Sequence, residues 1–383
     1  MQRSFYSLVA SGAALIACCY GFARFAYGLF TPVLTAEFGL SSTAVGVIAA
    51  GSYVGYCAAI IVSAVVTSRI GPRSVAIGAG TVATLGMILV ALAPSGWALA
   101  LGVLIAGTST GIASPPLAAA VSQRIPGAAG DRAQTIVNAG TGIGVLVSGP
   151  IAFALFDHWR VAWGGYAIIT AAVTVWVAFS VDGTSDSAVG DAHPNRWRGG
   201  SGGLVSASFL TGVGSIAMWG FGRDLISTAG SASIAVASIA WTVLGAAGIV
   251  GALGGDLMQR IGFGRAWVGA TLAMSAATIS LAIAPSNLMT IMLSFSVFGA
   301  MYIGLTGLLL VWGTRVYPDS PSLGVGMSFF MLAVGQGLGA PTAGVLIDTQ
   351  GATTTFILLA LVGATAAAVR PVAAPVHALD GRR

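Results

Sequence analysis

The sequence predicts an all-α membrane protein of twelve spanning helices, arranged as two six-helix bundles related by a pseudo-two-fold axis along the membrane normal. Three observations carry that prediction. The 383 residues are 56% hydrophobic and only 7% charged, too few charges to coat a water-soluble core of this size. Apolar runs long enough to cross the hydrocarbon, about 20 residues each, recur along the chain. The second half of the sequence repeats the first.

The first run, 5–34, follows Met-Gln-Arg-Ser. It is too long for the apolar core of a signal peptide and has no convincing small-residue cleavage site behind it, so it reads as a retained helix. The next five spans fall at 43–67, 74–93, 97–122, 133–156 and 161–181. Six more follow at 203–228, 233–258, 266–284, 287–313, 323–347 and 351–369. A count of 12 and not 11 requires 43–67 and 233–258 to be separate spans. Continuous apolar runs favour helices over barrel strands, which alternate over about ten residues. The 55 glycines fit as well, since faces such as GTGIGVLVSG (140–149) let helices approach closely.

All positive side chains are arginine. Arg3, Arg69, Arg73, Arg124, Arg132, Arg196, Arg198, Arg260, Arg265, Arg315, Arg370, Arg382 and Arg383 fall on one side of the twelve-helix layout, and only Arg160 on the other. The positive-inside rule then puts both termini in the cytoplasm. This asymmetry and the lipid bilayer account for the net charge of +5, and no nucleic-acid partner is needed. Cys18, Cys19 and Cys57 lie in predicted spans, and His158, His193 and His377 in loops or the tail. Neither a disulfide framework nor a metal or cofactor site is expected.

A shift of 191 residues lays SRIG (68–71) on QRIG (259–262), APS (93–95) on APS (284–286), Arg124 on Arg315, Pro150 on Pro341 and Asp157 on Asp348 without a gap. Charged residues, prolines and helix ends coinciding at one offset indicate an internal duplication. Six spans per copy make the repeat parallel, with the site expected between the halves. The expected domains are therefore a bundle at 1–181, a cytoplasmic linker at 182–202 rich in Gly and Ser, and a bundle at 203–383.

With this organisation the chain resembles the major facilitator superfamily over nearly its whole length. The family's loop between helices 2 and 3, G-x-x-x-D-R-x-G-R-R, is matched by AVVTSRIGPR (64–73) at Arg69, Gly71 and Arg73, with Ser68 at the acid position. The second copy, GDLMQRIGFGR (255–265), keeps Arg260, Gly262 and Arg265 but has Gln259 at the acid position. Asp256, one turn before Arg260, is placed to take over part of that cytoplasmic latch. GFARFAYGLFTP (21–32) is similar to the first helix of a bacterial branch of the superfamily, which implies an inner-membrane location.

Two arginines stand inside otherwise apolar spans: Arg24 in YGFARF (20–25) and Arg223 in WGFGRD (219–224). Such residues are costly in a bilayer and normally face protein or water. Aligning the two motifs makes the arginines pseudo-equivalent, each with an aromatic one turn earlier, Tyr20 and Trp219, and with Tyr27 on the Arg24 face. The resemblance implies that helices 1 and 7 face each other across a central cavity. Two guanidiniums converging there would clamp a carboxylate or phosphate. Two placements remain open for each, the cavity or the outer headgroups reached by snorkelling. Asp224 either neutralises Arg223 or exchanges a proton. Tyr53, Tyr56, Asn138, Tyr302 and Gln336 either line the cavity or satisfy backbone carbonyls between helices. Glu37, Asp157 and Asp348 are read as solvated helix caps in preference to proton carriers.

The function expected from the resemblance is secondary transport by alternating access, by a monomer and with no enzymatic activity. No H-E-x-x-H, G-x-S-x-G or GK[ST] motif is present. Uptake or exchange of a small organic anion is the first reading. Efflux of a metabolite or drug-like compound by proton antiport is the second, which the resemblance implies through a G-P motif on helix 5, matched here by GPIAF (149–153) without the paired glycines that normally follow; Pro150 and Pro341, in SGP and GAP contexts, are expected to bend helices 5 and 11 alike. Against it, the exporters' helix-4 arginine is replaced near Gly107 by nothing basic.

Overall fold

The computed structural model describes residues 2–125, 128–181, 197–252, 261–318 and 321–371. Among these the regular elements are all helical. Helix α1 (2–38) is continuous but changes pitch: Gln2–Ile16 is α-helical, Ala17–Phe25 forms a π-helix, and Ala26–Phe38 returns to α. Then come α2 (Ser42–Ile70), α3 (Pro72–Ala91), α4 (Gly96–Arg124), α5 (Ala128–Leu155) and α6 (Trp159–Ser180). The second group is α7 (Ser201–Thr228), α8 (Ile234–Ala252), α9 (Phe263–Ile283), α10 (Leu288–Val316), α11 (Pro321–Gln350) and α12 (Ala352–Ala364), with a 3-10 turn at Thr365–Ala368.

Each expected span is thus a helix, with ends moved by a few residues; the predicted end of the eighth, 253–258, lies outside the described residues. The spans 43–67 and 233–258 are separate helices, and the short member is instead the last. Eleven helices are long and apolar enough to cross a membrane, and Ala352–Ala368 falls in a shorter class.

Local chemistry sets the helix ends. Ser41 and Asn287 cap α2 and α10, their side chains accepting from the amides of Ala44 (3.1 Å) and Thr290 (3.0 Å). The SRIGPR and QRIGFGR glycines have a backbone reason to be glycine. Gly71 (φ +82°) and Gly262 (φ +84°) turn the chain into α3 and α9 in a region that a Cβ disfavours.

Packing follows the repeat. In the first group α2 and α3 pack on α4, α6 packs on α3, and α1 packs on α5 and α6. In the second group α8 and α9 pack on α10, α12 packs on α9, and α7 packs on α11 and α12. The groups meet through α2 with α11, α5 with α8, and α1 with α7. The principal contacts of α3, α6, α9 and α12 stay within their own group, as expected of lipid-facing supports. The 191-residue register is visible in the packing: Gly21 lies against Gly144, and Gly212 against Gly335, in both cases with no room for a side chain.

The carboxylates at the end remote from the chain termini do more than cap in solvent. Glu37 accepts from Trp159 Nε1 (2.5 Å) and Arg160 Nη1 (2.6 Å), while Arg160 Nη2 donates to the carbonyl of Ala93 (2.9 Å). This staples α1, the loop after α3 and the start of α6. Asp348, on α11, accepts from the amides of Ser42 (3.1 Å) and Thr43 (2.8 Å) and from the Thr43 hydroxyl (2.6 Å), so it caps α2 from the other group. Asp157 is exposed.

Candidate functional site

The stretch YGFARF sits in the π-helical part of α1. The amide of Ala26 donates to the carbonyl of Gly21, five residues back, the spacing that defines the wider turn. One turn later Pro32 has no amide to offer Gly28, and the Thr31 hydroxyl donates to that carbonyl instead (3.0 Å). Between these irregularities α1 crosses α7: a Cβ on Gly28 would run into the carbonyl of Trp219.

Arg24 is buried, 7% exposed, and points into a shell of rings. Its Cζ lies 4.3 Å from the Tyr53 ring centroid, 5.0 Å from Tyr56, 5.4 Å from Phe25 and 5.8 Å from Tyr20, distances at which a cation is attracted to a ring face. Arg24 Nη2 donates to Gln336 Oε1 at 2.8 Å. Gln336, fully buried on α11, turns its amide nitrogen to Ser215 Oγ and Tyr302 Oη, both at 3.1 Å. Tyr20 and Ser114 share a hydroxyl hydrogen bond of 2.9 Å. Trp219 stacks on Phe25 (3.9 Å) and meets Tyr302 and Phe298 edge-on (5.3 and 5.6 Å).

Two polar groups here are left over. Arg24 Nε and Trp219 Nε1 are buried without a hydrogen-bond partner. A carboxylate is also missing: among the described residues the ion pair formed is Glu37–Arg160, away from Arg24. Arg24 thus keeps its charge against a neutral amide and ring faces.

The structure therefore gathers Arg24, Tyr20, Tyr53, Tyr56, Trp219, Tyr302 and Gln336 from helices of both groups. Other expected members lie elsewhere. Tyr27 donates to the carbonyl of Val45 (3.2 Å), and Asn138 accepts from Gln134 (3.3 Å) within α5. Asp224 is half-buried and, among the described residues, forms no ion pair with Arg223.

Arg223 does not meet Arg24, so the symmetric clamp is not formed. Arg223 is 1% exposed, its Cζ lies 4.1 Å from the Phe156 ring, and its Nη1 donates to the carbonyl of Leu29. The reason is register. Trp219 follows Gly28 by 191 residues, the offset of the repeat, so the touching residues are the true equivalents. Arg24 precedes the crossing by four residues and Arg223 follows it by four, which at about 1.5 Å per residue separates them by roughly 12 Å along the helices. The counterpart of Arg24 is Ser215, overlooked in the sequence reading although the 191-residue shift points to it. Both arginines are packed inside protein, so neither snorkels.

Of the expected cytoplasmic latch, Arg69 and Arg73 are exposed and Gly71 and Gly262 make the turns described above. Asp256 and Arg260 lie outside the described residues.

Comparison with known proteins agrees with this architecture. No curated protein matches the chain. A bacterial homolog of the human lysosomal transporter Spinster, in an inward-facing and occupied conformation, has a TM-score of 0.74 at 14% identity, over 94% of this chain and 95% of that one. A mutant form of the nucleoside transporter NupG has a TM-score of 0.76 at 13% identity, over 95% and 98%. A POT family transporter in complex with 5-aminolevulinic acid gives 0.76 at 13%, over 96% and 95%. At such identities these likenesses show the fold alone. The family model described as "Uncharacterised MFS-type transporter YbfB" matches residues 16–373, and the chain belongs to that family of the major facilitator superfamily.

Proposed function

We propose that this secondary transporter carries a small organic anion across a bacterial inner membrane, by uptake or exchange, with Arg24 as the residue that receives the anion. The observation that carries the reading is a buried guanidinium with no carboxylate beside it among the described residues. Burying a charge costs free energy unless it is paired. Ring faces and one neutral amide offset only part of that cost, and an arriving anion supplies the rest. Alternating access would rock 1–181 against 203–383 about the α1–α7 crossing, with 182–202 as the linker and the monomer as the working unit. Arg73, Arg124, Arg265, Arg315 and Arg370 at the end that holds the chain termini, against Arg160 at the other, support cytoplasmic termini. If protons couple to transport, Asp224, half-buried on α7 and next in sequence to Arg223, is the carboxylate we assign to carry them.

The packing disfavours proton-driven efflux. Gly107, near which the resemblance would place the exporters' arginine, lies against Ser52 with no room for a side chain.

The test is a proteoliposome exchange screen with carboxylates, phosphates and cationic dyes, on wild type and Arg24→Gln. Exchange of an anion, lost in Arg24→Gln, is the expected result. Movement of a cation that survives the substitution while no anion moves overturns the reading.

A further inference from the structure

Resting on the reading above, we infer that the anion is an aromatic monocarboxylate, its carboxylate taken by Arg24 and its ring by the surrounding aromatic faces.

The charge count limits the ligand to one negative charge. Among the described residues Arg24 is the cation in the site; Arg223, roughly 12 Å along the helices, is held by the Leu29 carbonyl and the Phe156 ring, its own Nε left unpartnered. A second carboxylate on the ligand would be buried without a partner, a larger cost than the gain of its extra contacts. A phosphate, with its higher charge, fails for the same reason.

The donors point to a carboxylate. Arg24 Nε is unpartnered, and its neighbour on the same guanidinium, Nη2, is held by the neutral Gln336 Oε1 at 2.8 Å. A carboxylate that takes the place of Oε1 meets a planar fork with one donor already free. It replaces a neutral acceptor by a charged one, which strengthens the bond about twofold. Gln336 stays tethered through its own amide to Ser215 and Tyr302.

The walls point to an aromatic body. Tyr53 and Tyr56 face the guanidinium at 4.3 and 5.0 Å. Phe25 and Trp219 form a stacked pair at 3.9 Å, and Trp219 meets Tyr302 edge-on at 5.3 Å. A flat ring exchanges stacking and edge-on contacts with these groups, each worth more than plain apolar burial. Trp219 Nε1, also unpartnered, offers a donor to a ring substituent.

The experiment is binding to purified full-length wild type, read by tryptophan fluorescence and thermal shift, with counterflow in proteoliposomes as the transport readout. The probes are benzoate, cyclohexanecarboxylate, acetate, succinate, inorganic phosphate and benzamide. Benzoate is expected to bind at least fivefold more tightly than cyclohexanecarboxylate and at least tenfold more tightly than acetate, succinate or phosphate. Arg24→Lys is expected to weaken benzoate at least tenfold while Arg223→Gln leaves it within about threefold. Tighter binding of succinate, phosphate or acetate than of benzoate overturns the aromatic monocarboxylate and leaves anion transport standing. Benzamide binding as well as benzoate removes the anion reading itself. A variant that does not fold is replaced by the ligand series on wild type, which decides the question alone.

Discussion

Gly28 and Trp219 touch, backbone to backbone, at the point where α1 crosses α7, and each is the other's counterpart in the repeat. The pseudo-two-fold relation between the halves therefore passes beside this contact. A residue one turn before the crossing on one helix and a residue one turn after it on the other cannot face each other. The site is asymmetric in consequence: the first half contributes the cation, Arg24, and the second contributes neutral partners, Gln336, Ser215 and Tyr302.

The crossing tolerates no side chain at position 28. Gly28→Val places a Cβ and two methyl groups against the Trp219 carbonyl and forces α1 away from α7. Overpacking of this kind costs about 1–3 kcal/mol. A lower melting temperature in detergent is expected, with transport reduced in proportion. Gly220→Ala, one residue beyond Trp219 and with open space around a new Cβ, should melt within experimental error of wild type. Equal effects from the two would show that α1 and α7 are not held together here.

The fold was legible in the sequence because hydrophobic run length and the positions of glycine, proline and arginine are properties of single residues. The site was legible only in part. YGFARF and WGFGRD look alike, so the local motif suggested an offset of 199 residues, while helix ends and prolines gave 191. Packing obeys the second, since neighbours across an interface are set by helix length and not by motif similarity. Ser215 escaped notice because serine in an apolar helix usually bonds its own backbone, as Ser215 itself does to Gly212 while it also accepts from Gln336. Nothing in local composition announces the π-turn at Ala17–Phe25, which changes the direction of Arg24.

Asp348 is expected to hold one side of the molecule shut. Its carboxylate adds three hydrogen bonds from α11 to the start of α2, which Ser41 also caps, whereas at α8 the cap is its own Ser233, whose hydroxyl accepts from the Val236 amide at 3.3 Å. Loss of a cap costs about 0.5–2 kcal/mol, here charged to the closed arrangement of α2 and α11 alone. Asp348→Ala should lengthen the distance between spin labels at the exposed Val47 and Val345 in a larger fraction of molecules. Asp157→Ala, at the equivalent position of the first half, should leave the distribution as in wild type. An unchanged distribution in Asp348→Ala would remove the latch.

Arg223 and Arg24 should separate cleanly by readout. Arg24→Gln is expected to weaken anion binding by a factor of about 10–100, the loss of one charge-assisted hydrogen bond. Arg223→Met removes a guanidinium that ties α7 to the Leu29 carbonyl on α1. Because the two lie far apart, their effects should be independent. Binding affinity is then expected to stay near wild type in Arg223→Met, while the turnover rate changes as the α1–α7 link is lost. Equilibrium binding and counterflow rates on the same preparations give the two numbers. A large affinity loss in Arg223→Met would place that residue back in the binding site.

Gln336→Glu sets stability against function at a single atom. In wild type the Gln336 oxygen accepts from Arg24 as a neutral group. A glutamate of nearly the same shape places a carboxylate there and pairs the buried guanidinium permanently. Truncating one partner of a buried pair is costly and completing one removes that penalty, so thermal stability should hold or rise. The amide that donated to Ser215 and Tyr302 is replaced by an acceptor; the Tyr302 hydroxyl can turn to donate, and Ser215 does so by giving up the bond it donates to the Gly212 carbonyl (2.9 Å), which keeps its own helical partner. Anion binding should fall at least tenfold, because the position the substrate needs is already filled by a like charge. A melting curve and a binding isotherm on Gln336→Glu test both halves of this claim. A protein that is stabilised yet binds the anion unchanged would show that the substrate does not use Arg24. One that is destabilised would show that the guanidinium finds its counter-charge elsewhere.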